Sequence, residues 1–133
     1  MNKFALTIAT EEKTVLEQEV ESLVAPGADG YLGVWAHHAP LLTSLRPGRV
    51  EVRLSRDTAL VFAVSGGFLE VARNKAILLA DALEAPSEID VKRARESLQR
   101  ALDRMKARDP ALDKDRAEAA LARARNRIAL AAA

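Results

Sequence analysis

The 133-residue sequence predicts a β + α fold, with an N-terminal antiparallel β-sandwich over residues 1–86 and a C-terminal antiparallel two-helix hairpin over residues 87–133. Three observations carry this prediction. From Lys3 to about Ala85, apolar residues recur with period two, and turn residues interrupt them about every 8 to 12 positions, as in a sandwich or barrel of short strands. After Pro86 the spacing of apolar residues becomes three and four, the period of a helix. The charge balance changes at the same place. Residues 1–87 carry eight Lys/Arg against eleven Asp/Glu, whereas residues 88–133 carry twelve against eight, so an acidic body is followed by a basic tail.

The strand signals follow in order. "FALTIA" alternates, and "VLEQEVESLVAP" sets Val20 and Leu23 among acids suited to a solvent face. "GRVEVRL" alternates Val50, Val52 and Leu54 with Glu51 and Arg53. "ALVFAV" and "FLEVA" lie on either side of "SGG", whose glycines suit a bulge or a close approach of strands. "NKAILLA" adds a strand after a hairpin predicted at Asn74 and Lys75. The helical half begins with Ser87, and Asp90 three residues later suggests a capping box with a helix starting at Glu88. Val91, Ala94, Leu98, Ala101 and Met105 form a narrow seam. "RDPALD" then breaks the pattern, with Asp109 placed to cap a second helix and Pro110 at its first position. That helix is expected to reach about Leu130 with a seam of Ala117, Leu121, Ala124 and Ile128. Two seams so rich in alanine bury little area, and at roughly 25 cal/mol per Å² the hairpin is marginal alone.

Several classes of chemistry are excluded or disfavoured. Without cysteine there is neither a disulfide framework nor a thiolate metal site. "FALTIA" ends at Thr10, Glu11 and Glu12, too soon for a signal peptide or a membrane span, so a soluble intracellular chain is expected. His37 and His38 are adjacent, and in an extended segment neighbours point to opposite faces, which makes them a poor pair of metal ligands. "SGG" is neither a nucleophile elbow nor a phosphate loop. No catalytic constellation is found, and the chain is expected not to be an enzyme.

The basic tail is more suggestive. Arg93 and Arg100 are two turns apart on the first helix, with Asp90 one turn before Arg93. On the second helix Arg116, Arg123 and Arg127 lie along one flank of the seam. Spacing alone leaves two readings open. One is a set of exposed salt bridges, each worth only ~0.3 to 0.5 kcal/mol. The other is a cluster of guanidinium forks for a polyphosphate, with Asp90 accepting from a base amine or ribose hydroxyl and Ala94 leaving room for the base. A third use of a basic helix, binding nucleic acid, is the alternative function; the acidic sandwich and scarce aromatics oppose it.

The segments "DGYLGVWAHHAPLLTSLRPGRV" and "SGGFLEV" resemble the epsilon subunit of bacterial F-type ATP synthase, and "IDVKRA" resembles that family's nucleotide-binding signature, Ile/Leu-Asp-x-x-Arg-Ala. The resemblance covers essentially the whole chain. It departs at Trp35 and Ala36, where a bulky apolar residue and often a proline are usual. It implies a non-catalytic central-stalk subunit, peripheral on the cytoplasmic face of the bacterial membrane. The sandwich would bind the gamma subunit and rest on the c-subunit ring, with contacts near Tyr31 and His38. The hairpin would fold down or extend towards the catalytic alpha and beta subunits, inhibiting ATP hydrolysis. The resemblance further implies no cofactor, no nucleic acid, and ATP as a regulatory ligand. The nucleotide-binding positions carried over are Glu84, Ile89, Asp90, Arg93, Ala94, Arg100, Arg123 and Arg127.

Overall fold

A computed structural model of the protein describes residues 2–107 and 113–132. The chain divides into two compact units, Met1–Glu84 and Ala85–Ala133. Strands make up the first: β1 (Phe4–Thr10), β2 (Thr14–Val20), β3 (Ser22–Gly27), β4 (Gly30–Trp35), β5 (Leu41–Leu45), β6 (Gly48–Ser55), β7 (Thr58–Val64), β8 (Gly67–Ala72), β9 (Lys75–Ala80) and β10 (Leu83–Glu84). The second contains a 3-10 turn at Pro86–Glu88, then α1 (Val91–Lys106) and α2 (Lys114–Ala132).

Hydrogen bonding runs β10-β7-β6-β3-β5-β8-β9-β1-β2, with β4 paired to β3. β3 joins the two layers of the sandwich: it pairs β6 through Ser22–Val24 and β5 through the single pair Gly27↔Leu45. One pairing departs from the antiparallel expectation, because β1 and β9 run parallel from Ala5↔Lys75 to Thr10↔Ala80. Parallel neighbours need a long connection, and strands from the start and end of the sandwich segment supply one. Between the layers, alternation sends every second side chain inward. Phe4, Leu6 and Ile8 of β1, Val50 and Val52 of β6, Leu69 and Val71 of β8, and Leu78 of β9 are almost wholly buried. Val20 and Leu23 join this core from among their acidic neighbours, whereas Leu54 is only partly covered.

The hairpin between β8 and β9 turns one residue earlier than predicted. Arg73 (φ 53) and Asn74 (φ 58) are the two central residues, and Lys75 already belongs to the strand. A two-residue turn with both φ angles positive matches the twist of the strands, and asparagine tolerates that conformation. Asn74 also ties three distant segments together. Its Oδ1 accepts from the backbone N–H of His37 at 2.7 Å, and its Nδ2 donates to the carbonyl of Lys3 at 3.0 Å. Its own carbonyl accepts from Ala5 at 3.3 Å. Asn74→Ala is therefore expected to destabilise the sandwich by about 1 to 3 kcal/mol, since it removes two hydrogen bonds and the tolerance of positive φ. An unchanged midpoint in chemical denaturation would refute this role.

The helical unit starts later than the sequence suggested. Ser87 caps nothing; it lies inside the 3-10 turn, where the Glu88 carboxylate accepts from the N–H of Ala85 at 2.9 Å. Asp90 is itself the N-cap of α1, its Oδ1 accepting from the backbone N–H of Arg93 at 3.1 Å. An aspartate outside the helix can reach the third N–H, and this satisfies a donor that an earlier start would have left to serine. Asp109 and Pro110 lie outside the described residues, and where α2 is described Asp113 does the capping, accepting from Arg116 N–H at 3.1 Å. α1 and α2 pack together through alanine: Ala94 and Ala101 on one, Ala117, Leu121 and Ala124 on the other, are buried. Val91, Leu98, Met105 and Ile128 are only half-buried, and Leu130 is buried outside the predicted seam.

Candidate functional site

The start of α1 presents the "IDVKRA" segment in a defined geometry. Ile89 is buried, Asp90 and Arg93 are exposed, and Ala94 is wholly buried. Ile89 thus anchors the segment, and Ala94 packs in the seam. Only one carboxylate oxygen of Asp90 is engaged, and by the backbone of Arg93. The cap holds the N–H of Arg93 and leaves its guanidinium projecting to solvent. Arg100 is exposed on the same side of α1, about 20° round the helix from Arg93 at roughly 100° per residue. Its Nη2 donates to Ser97 Oγ at 3.0 Å, which steadies the side chain back along the helix.

On α2, Arg123 is exposed and Arg127, one turn later, is half-buried with its Nε enclosed. Glu84 belongs to the first unit, half-buried on the short edge strand β10 opposite Ala63. On β6, Glu51 forms ion pairs with Arg49 (3.6 Å) and Arg53 (3.5 Å). Neither involves Arg93, Arg100 or Arg123, so these three do not form the surface salt bridges that their spacing allowed. Three cationic forks that stand in solvent without a carboxylate partner are available to an anion.

The sandwich carries the second group of residues. Tyr31 is 61 % exposed on β4, and its hydroxyl accepts from the backbone N–H of Arg49 at 2.9 Å. His38 lies half-buried in the connection from β4 to β5, with its N–H donating to Trp35 and its Nδ1 donating to the Ala39 carbonyl at 2.7 Å. The two histidines do not occupy an extended segment. His37 takes φ 63, held there by Asn74, because the chain must reverse between the strands.

Sequence reasoning missed the exposed apolar residues. Leu42 (72 %), Trp35 (60 %), Phe68 (59 %) and Leu79 (52 %) face outward from the strands. A signal was present: "GFL" and "LLA" place apolar residues on consecutive positions, and in a strand one of two neighbours must face outward. Exposed large apolar side chains gathered on one molecule are the usual mark of a partner.

Residues 3–86 match a family model described as ATP synthase, Delta/Epsilon chain, beta-sandwich domain, and residues 87–132 match one described as ATP synthase, Delta/Epsilon chain, long alpha-helix domain. Among curated proteins, the ATP synthase epsilon chain of Moorella thermoacetica is 47 % identical over 133 residues, covering 100 % of this chain and 99 % of that one. The epsilon chain of Desulforamulus reducens is 46 % identical, covering 92 % of each. Among solved structures, a chain of the Euglena gracilis mitochondrial ATP synthase, OSCP/F1/c-ring, has the same fold, with a TM-score of 0.83 at 23 % identity; the match covers 93 % of this chain and 78 % of that one. A chain from the central stalk/c-ring structure of the Tetrahymena thermophila mitochondrial enzyme gives 0.65 at 16 % identity, covering 98 % and 95 %.

Proposed function

The chain belongs to the ATP synthase delta/epsilon chain family, and from that premise we propose that it is a non-catalytic rotor subunit of an F-type ATP synthase. In this reading the sandwich is the assembly unit. It binds the gamma subunit of the central stalk and rests on the c-subunit ring, with Tyr31 and His38 near the contacts, on the cytoplasmic face of the bacterial membrane. The hairpin is the regulatory unit, which binds ATP when closed and inhibits hydrolysis when extended along the alpha and beta subunits. Glu84, Ile89, Asp90, Arg93, Ala94, Arg100, Arg123 and Arg127 are assigned to the nucleotide. The likeness in fold to chains of the two mitochondrial assemblies, one of OSCP/F1/c-ring and one of central stalk/c-ring, supports the assembly half.

The observation that carries the reading is the contrast in packing between the units. The sandwich holds a continuous core of large aliphatic side chains and Phe4, while the contact between α1 and α2 is mostly alanine. A ligand shifts a two-state element only by its preference for one state, and about 2.7 kcal/mol is available at a hundredfold excess over Kd. A hairpin so lightly packed lies within that range, and a sandwich core does not. The test is addition of the purified chain to ATP synthase assembly prepared without it. Saturable binding, with a fall in ATP hydrolysis that millimolar ATP relieves, is the expected result. A truncated chain ending at Ala85 is expected to bind and not to inhibit. Failure of the full chain to bind would refute the assembly role, and equal inhibition by the truncated form would refute the role of the hairpin.

A further inference from the structure

Ser97 lies on α1 one turn after Arg93 and a little under one turn before Arg100, and it is none of the residues assigned to the nucleotide. At roughly 100° per residue it sits about 40° round the helix from Arg93 and about 60° from both Ala94 and Arg100. It therefore stands at the border between the buried seam and the arginine flank. Its exposure agrees, since Ser97 is half-buried while Ala94 is wholly buried and both arginines are exposed. Serine is a weaker helix former than alanine, because its hydroxyl competes for backbone hydrogen bonds. A seam edge otherwise built from alanine gains no helix stability from it.

What the hydroxyl does is hold Arg100, whose Nη2 donates to Ser97 Oγ at 3.0 Å. Helical spacing offers Arg100 two carboxylates, Glu96 four residues before it and Asp103 three after. It pairs with neither. Asp103 accepts instead from Gln99 Nε2 at 2.8 Å. A carboxylate would orient the guanidinium and also cancel its charge, whereas a neutral hydroxyl orients it and leaves the charge whole. A guanidinium carries five N–H donors, so one bond to Ser97 leaves most of the fork open. The direction of the bond matters as well. Arg93 and Arg100 start about 10 Å apart along the axis, at 1.5 Å per residue, and the tether draws the head of Arg100 back by one turn towards Arg93.

We propose that Ser97 is a positioning residue of the nucleotide site, whose hydroxyl holds Arg100 beside Arg93 with its charge uncancelled so that both guanidiniums meet the phosphates together. The inference rests on the nucleotide-binding role proposed above and adds to it a residue outside the Ile-Asp-x-x-Arg-Ala segment. A free arginine side chain samples many rotamers and must give them up when a ligand binds. Ser97 removes part of that cost before the ligand arrives. Its effect on affinity therefore passes through Arg100 alone, and its effect on helix stability has the opposite sign, because alanine in its place is the better helix former. These two signs separate positioning from packing.

The test is calorimetric titration of the full chain with ATP, beside chemical unfolding followed by the helix signal. Ser97→Ala is expected to weaken ATP about three- to tenfold while the unfolding midpoint stays level or rises. Ser97→Thr, which keeps a hydroxyl, is expected to restore wild-type affinity. Arg100→Ala is expected to weaken ATP at least tenfold, and Ser97→Ala added to it to cost nothing further, since the bond is already gone. Gln99→Ala is the control: it removes a bond of similar length on another side of α1 and keeps wild-type affinity. If the wild type binds and Ser97→Ala binds equally well, the proposal is overturned and the nucleotide role stands. Losses that multiply in the double variant would show that Ser97 acts apart from Arg100, and a midpoint that falls with affinity would show that it only packs. Either result overturns the proposal, as does failure of the threonine variant to recover affinity. If the wild type takes up no ATP, both the proposal and the nucleotide role are overturned.

Discussion

Replacing Arg93 by alanine is expected to weaken ATP binding to the full chain at least tenfold, and Arg127→Ala to do the same. A charged hydrogen bond contributes about 1.5 to 3 kcal/mol, and about 1.4 kcal/mol is one order of magnitude in affinity. Arg93 gives the cleaner reading, because it is exposed and makes no ion pair among the described residues, so its loss leaves the hairpin intact. Arg127 is half-buried, and its removal also disturbs packing. Asp90 requires a pair of variants, since its carboxylate already caps α1. Asp90→Ala removes the cap and is expected to cost about 0.5 to 2 kcal/mol of helix stability whatever the ligand does. Asp90→Asn keeps the cap, because asparagine serves equally well there, and tests the carboxylate alone. If the free oxygen accepts from the base, Asp90→Asn weakens ATP more than GTP. If Asp90 only caps the helix, the two nucleotides are affected alike and slightly. Calorimetric titration of wild type is expected to show one saturable site, and no heat at millimolar ATP would remove the nucleotide from the proposed function.

Gly67→Ala is expected to be the most damaging single substitution in the sandwich, lowering stability by about 3 kcal/mol or more. Two separate costs combine. Gly67 has φ 142, a region that side chains rarely adopt, and such strain costs on the order of 1 to 3 kcal/mol. A Cβ at this position would also collide with the carbonyl oxygen of Leu79, a backbone atom fixed in the β8–β9 ladder. Gly30 separates the two. It has φ 133, but a Cβ there meets nothing within 4 Å, so Gly30→Ala carries the backbone cost alone. Denaturant midpoints should therefore fall in the order wild type, Gly30→Ala, Gly67→Ala. Equal falls for the two glycine variants would show that conformational strain, not the approach of β8 to β9, sets the cost.

Both halves of the fold were legible because each rests on a local period. Alternation in "FALTIA" and "GRVEVRL" specifies which side chains of β1 and β6 are buried, and spacings of three and four place Ala94, Ala101, Ala117, Leu121 and Ala124 on facing seams. Turn and cap positions were less legible. Asn74 and Asp90 were singled out from sequence, but their roles moved by one to three residues, since several neighbours can take a turn or cap and the strand register or the first helical hydrogen bond selects among them. The same limit applies to the candidate site. Spacing put Arg93 and Arg100 on one side of α1, but could not tell whether a carboxylate on the same helix would claim them, which depends on side-chain conformation.

The sequence by itself determined the two-part architecture, the buried residues of most strands, the weakly packed hairpin and the family resemblance. These depend on residue types at fixed short separations. Tertiary structure alone decided the parallel pairing of β1 with β9, the clip that Asn74 makes from Lys3 to His37, and the neighbours Leu42, Phe68 and Leu79 on one face. Their common physical reason is separation along the chain. Lys3 and Asn74 are 71 residues apart, and no local period constrains which distant strand completes a ladder. That choice is made by the closing of the whole core, which sets the register of β1 on β9 and so decides which outward side chains become neighbours.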